Sequence, residues 1–194
     1  MMMVIKIALV SALGTLASPS VPLQTSATAT SGDLEKSARK VAKSLSQVHK
    51  ATLADVLGQA EVTTRYDIKV NQCDISWGQK TVTAMYQDGR HVMTSTQDLT
   101  SRFGFEQIER IDQRQKVEEG NQVFIVQFAL TDTPADQPHF KLSMTMTAPG
   151  SDFDQPPMEA NEKAGRVAVY FNEQKAADRA YAALSGHHVL CADR

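Results

Sequence analysis

Motifs that announce chemistry are what this chain of 194 residues has least of. It contains no G-x-S-x-G elbow, no H-E-x-x-H pair, no glycine-rich phosphate loop and no EF-hand loop. The common signatures of acyl transfer, zinc proteolysis, nucleotide binding and calcium binding are therefore missing. Cysteine is scarce: Cys73 and Cys191 are the only two, and they form no C-x-x-C. Charge of one sign is lacking as well. Twenty basic residues stand against 22 acidic ones, a formal −2, which gives no electrostatic reason to bind nucleic acid. The N-terminal apolar stretch, residues 7–17, is too short to cross roughly 30 Å of hydrocarbon as a helix. With 42% hydrophobic and 22% charged residues, wholesale disorder and a polytopic membrane protein are excluded.

What is present at the N-terminus is an address. Lys6 is the only charge before the apolar run, and Pro19 and Pro22 break any helix that would continue it. Ala27-Thr28-Ala29 matches the small-x-small pattern of a signal-peptide cleavage site, and Thr15-Leu16-Ala17 is a second match. Residues 1–29 are expected to be a signal peptide, 30–32 a linker and 33–194 a single α+β domain. The destination is the bacterial periplasm or the exterior, with no integral membrane segment in the mature chain. An oxidising compartment and an even cysteine count predict a structural bridge between Cys73 and Cys191.

The domain opens with helical periodicity. Leu34, Ala38, Val41, Leu45 and Val48 fall on one face, with Asp33 or Ser31 as cap. A short helical turn over Thr52, Leu53, Val56 and Leu57 is expected next, stopped by Gly58. The period then becomes two. Tyr66, Ile68 and Val70 alternate, as do Cys73, Ile75 and Trp77 after a slip at Asn71-Gln72. Gly78 breaks the run before Val82, Ala84 and Tyr86. Asp88-Gly89 is a hairpin signal, with a return strand over 92–96. Residues 98–116 are ambiguous between a short helix and a loop. Residues 123–130 read as a strand covered on both faces. Phe140, Leu142, Met144 and Met146 alternate with polar residues in a half-buried strand. A long acidic loop spans 148–165, and residues 166–171 form the last strand. Asn172 caps a small-residue helix that Gly186 ends. The whole predicts an antiparallel sheet, or partly closed barrel, of about six or seven strands with a helix at each end.

The C-terminal segment VAVYFNEQKAADRAYAALSGHHVLC, together with Cys73 at the end of IKVNQC, resembles uncharacterised exported bacterial proteins. Those carry a strand–helix–Cys pattern on a sheet that resembles the pleckstrin-homology-like barrel. The resemblance covers about 40 residues and implies an architecture; it carries over no catalytic residue.

No cofactor, metal site or catalytic group is assigned. Of the histidines, His49, His91, His139, His187 and His188, only the last two are adjacent, and consecutive side chains diverge. The leading expectation is a non-catalytic exported binding or interaction module for a protein, peptide or envelope component. The alternative is a carrier of a small apolar ligand, in a cleft lined by Phe140, Leu142, Met144 and Met146 with Trp77, because methionine adapts to varied apolar shapes. An envelope hydrolase is the third expectation.

Overall fold

The computed structural model describes residues 30–55, 58–118, 121–131, 137–150 and 157–192. The expected signal peptide lies outside them. The described chain is α+β, with a helix before and a helix after nine strands.

Helix α1 (Ser31–Leu45) starts three residues before Leu34, within the expected linker, because Thr30 caps it in place of Asp33 or Ser31. The Thr30 hydroxyl accepts from the Asp33 N–H at 3.3 Å, and the Asp33 carboxylate accepts from the Thr30 N–H at 3.3 Å. The Thr30 hydrogen bonds hold the Asp33 carboxyl below its ordinary pKa. Leu34, Ala38, Val41 and Leu45 are buried, as their spacing predicts. Val48 departs from that face and begins strand β1 (Val48–Asp55), where the expected helical turn would have stood. Its pairing with β2 (Gly58–Asn71), from Val48↔Arg65 to Asp55↔Gly58, overrides local helical spacing. Gly58, expected as a helix stop, sits at φ 144°, and a Cβ there would lie 2.2 Å from the Tyr86 carbonyl oxygen.

Strands β2, β3 (Asp74–Gln87) and β4 (Arg90–Gly104) form a long meander. The slip at Asn71-Gln72 is a turn, with Gln72 at φ 52°. Asp88 and Gly89, at φ 50° and 73°, supply the two left-handed residues of a type I′ hairpin. Gly78 does not break β3; it pairs with Asp67 on one side and Thr100 on the other. The ambiguous stretch resolves into the end of β4, a single 3₁₀ turn (Phe105–Gln107) and strand β5 (Ile108–Glu118). Strand β6 (Asn121–Leu130) lies between β5 and β9 (Arg166–Phe171), while β7 (His139–Thr147) returns to pair with β4. The expected acidic loop contains a further edge strand, β8 (Met158–Lys163), paired to β7. The result is one six-stranded antiparallel sheet, β1-β2-β3-β4-β7-β8, and one three-stranded sheet, β5-β6-β9, not closed into a barrel.

The inner faces of the two sheets meet through aromatic rings. Trp77 of the large sheet packs edge-on against Tyr66 at 6.1 Å and against Phe128 of the small sheet at 5.9 Å. Phe103 and Phe140 extend the cluster. Helix α2 (Gln174–Ala192) closes one end of this core with Ala177, Ala180, Ala183 and Leu184, whose small side chains let it lie close to its neighbours. It runs through Gly186 instead of ending there. Its last turns are held by three ties to other elements. His187 Nε2 donates to the Gln72 carbonyl at 2.7 Å, His188 Nε2 to the Ile108 carbonyl at 2.8 Å, and Cys191 is bridged to Cys73 with Cα atoms 5.7 Å apart.

The bridge closes a loop of 118 residues, and restricting the unfolded chain in this way is worth about 2–5 kcal/mol. Replacing both cysteines by serine is expected to lower the urea midpoint by that amount of stability. An unchanged midpoint would show that the bridge contributes nothing to the fold.

Candidate functional site

The two sheets come alongside each other at β1 and β9 without forming a ladder. Backbone alternation shows which groups face the seam. The Gln47 carbonyl accepts from Tyr66 in β2, so the neighbouring even-numbered residues of β1 point away from β2 and toward β9. In β9, Tyr170 points away from β6. Its N–H donates to the Tyr66 hydroxyl at 3.4 Å, and its carbonyl accepts from Gln47 Nε2 at 2.6 Å. Burial pushes the Tyr66 hydroxyl well above the ordinary phenol range, so it stays protonated.

Asn172 completes the seam. Its side chain donates to the Lys50 carbonyl at 3.3 Å and accepts from His49 Nδ1 at 2.6 Å, which fixes the Nδ1–H form of that imidazole. The expected role of Asn172 as helix cap is thus overturned. The Ala176 and Ala177 N–H groups both donate to the Glu173 carbonyl, while the Asn172 side chain clips β1 to the end of β9.

Beyond Asn172 the seam opens into a cleft of about 680 Å³. One wall is β1 and β2, with His49, Ala51, Thr52, Glu61 and Val62; the other is the start of β6, with Asn121, Gln122 and Phe124. The cleft lies at the end of the sandwich away from α1, which packs on the Tyr66–Asn71 half of β2. Cross-strand register carries the His49 face across the large sheet, through Thr64, Thr81, Gln97 and Met144 to Met158. Side-chain bonds join parts of this row: Thr64 and Thr81 hydroxyls at 3.2 Å, and Gln97 Nε2 to the Met144 sulfur at 3.4 Å.

The expected ligand-lining residues divide between two environments. Phe140 and Trp77 are each only 2% exposed and belong to the aromatic core. Leu142, Met144 and Met146 continue along the same face and are half-buried. None of the five lines the cleft at β1. The residues that do were not picked out as ligand-lining from the sequence, because Thr52 reads there as part of a short helical turn, and Lys50 and Gln122 as solvated polar positions. Among the described residues, no group of three or more histidines, cysteines or acids is placed to hold a metal ion. No family model matches this chain, and no curated protein or solved structure matches it.

His187 is fully buried, with its ring 4.6 Å from that of Phe105. Nε2–H serves the Gln72 carbonyl, and Nδ1 has no partner. Burial lowers its pKa, against the smaller opposing effect of the Gln72 bond. The unfolded chain therefore binds a proton that the folded chain refuses. Stability from this residue is complete above about pH 6.5 and falls with decreasing pH by at most about 1.4 kcal/mol per unit, until the folded-state pKa is reached. His187→Gln keeps a donor for Gln72 and removes the titration. Urea unfolding between pH 7.5 and 5 should show a shallower loss for the variant than for the wild type. Equal slopes would remove His187 as the source.

Proposed function

We propose that this protein is an exported binding module whose ligand occupies the cleft between β1–β2 and β6. The carrying observation is the cleft itself. Its volume of about 680 Å³ falls within the range of roughly 300–1,000 Å³ typical of ligand sites, and it opens between the two sheets at the end the helices leave uncovered. Its lining offers hydrogen-bonding side chains on the rim and Ala51, Val62 and Phe124 deeper in. His49, the histidine of the lining, has its ring oriented by the Nδ1–H bond to Asn172. The apolar run of residues 7–17 and the bridged cysteines support export. The strand–helix–Cys order of β9, α2 and Cys191 supports kinship with exported proteins of the pleckstrin-homology-like type.

A second reading has one observation behind it. Leu142, Met144 and Met146 share their half-buried face with Leu99, Met93 and Met85, so an apolar cargo has a surface to lie on. Native mass spectrometry of freshly purified protein then shows co-purified lipid; a clean apo mass and no uptake of a fluorescent fatty acid discard this reading.

Ala51→Trp fills the cleft from the β1 wall. Wild type and variant are compared for capture from an envelope extract. Loss of the captured species at unchanged melting temperature supports the site, and identical capture by both overturns it. Export is checked by N-terminal sequencing of the native protein, expected to begin after Ala17 or Ala29. A chain that retains Met1 and stays in the cytosol overturns that part.

A further inference from the structure

We infer that the cleft is a slot for one extended peptide strand, and that the ligand of this protein is a polypeptide segment that adds to both sheets at once. This rests on the cleft being the binding site. The inference comes from where β9 stops. Strand β9 pairs with β6 only as far as Phe171↔Phe124, and α2 begins at Gln174. Strand β6 extends three residues further, to Asn121, and β1 extends past Lys50 to Asp55. No described residue occupies the line that β9 would have followed between them.

The backbone groups facing this line can be named. The Leu130 N–H donates to the Gly165 carbonyl, so even-numbered residues of β6 point toward β9; Gln122 is one of them, and lies beyond the last β9 pair. On the other wall the Lys50 carbonyl points to the seam, where Asn172 takes it, so Thr52 points the same way. The N–H and C=O of Thr52 and Gln122 have no partner among the described residues on the slot side. These are two edges facing one vacancy, which a single chain can satisfy by main-chain hydrogen bonding.

The side chains set the kind of segment. Alternate positions of an inserted strand face inward to Ala51, Val62 and Phe124, and outward to Lys50, Thr52 and Glu61. The fitting ligand alternates apolar and polar residues. It runs in the direction of β9, antiparallel to β6.

The probe is a random dodecapeptide display library panned on the mature chain with its bridge intact. Enriched sequences are expected to alternate. Thr52→Pro and Gln122→Pro remove slot-facing donors and no ladder donor, since neither N–H serves its own ladder. Each should weaken binding of an enriched peptide by about tenfold or more, whereas Thr52→Ala, which keeps the backbone donor and loses only the side-chain contact, should weaken it much less. The Thr52 and Gln122 amides should exchange quickly in the free protein and slowly in the complex. Should a proline variant fail to fold, the enriched peptide N-methylated at alternate residues makes the same test on the wild-type protein, with binding expected to be lost.

Failure to enrich any peptide, or proline variants that bind as well as wild type, overturns the inference. So does a stable dimer in which a second copy protects Thr52. A non-peptidic ligand lost in Ala51→Trp but unaffected at Thr52→Pro sinks the strand and leaves the cleft standing. Peptides that bind equally well to Ala51→Trp sink both.

Discussion

Both outward backbone groups of Tyr170 are taken by side chains, the Tyr66 hydroxyl and the Gln47 amide, and not by another strand. That replacement governs the architecture. A backbone ladder from β1 to β9 would have joined the two sheets into one continuous nine-stranded sheet. Side chains hold the edges together at a few points and then release them, so β1 and β6 diverge past Asn172. The polar cost of the seam is met locally, because every group named there has a partner within hydrogen-bonding distance. The divergence is therefore compatible with a well-formed core a few residues away.

The two ends of the sandwich are built on different terms. At one end α1 and α2 cover the apolar interior, and α2 is tied to the β2–β3 turn and the start of β5 by His187, His188 and Cys191. The interior there is aromatic and dry, centred on Trp77 between Tyr66 and Phe128. At the other end the same sheet face turns into threonine, serine, glutamine and methionine, and among the described residues no helix lies over it. The cross-element ties are concentrated at the helix end, and the cleft lies at the other. This division lets a small domain keep a stable body while exposing hydrogen-bonding edges.

Much of the architecture was legible in residue periodicity. The alternation of Tyr66, Ile68 and Val70, the Asp88-Gly89 turn and the 166–171 strand were all readable, because each is a local pattern with a local cause. The misreadings share another cause. Thr52 and Leu53 looked helical because nothing nearby reveals that Glu61 and Ala60 will pair with them across a turn. Gly78 and Gly186 looked like stops, yet strand pairing on both sides of one and packing around the other carry the elements through. Asn172 had the composition of a helix cap and serves as a clip between sheets. The cleft was the least legible part. Its defining groups at Thr52 and Gln122 are main-chain atoms, and which way they point depends on register, which no side-chain motif records.

The methionine face has a chemical consequence of its own. Met144 offers its sulfur to the Gln97 amide, and Met85, Met93 and Met146 stand half-open on neighbouring rows. An oxidant that adds one oxygen to such a thioether makes a strong dipole out of a weak acceptor. The grip of Gln97 on Met144 would tighten, and the grease of the open end would turn wettable. A face oxidised in this way would stay changed until a sulfoxide reductase restored it.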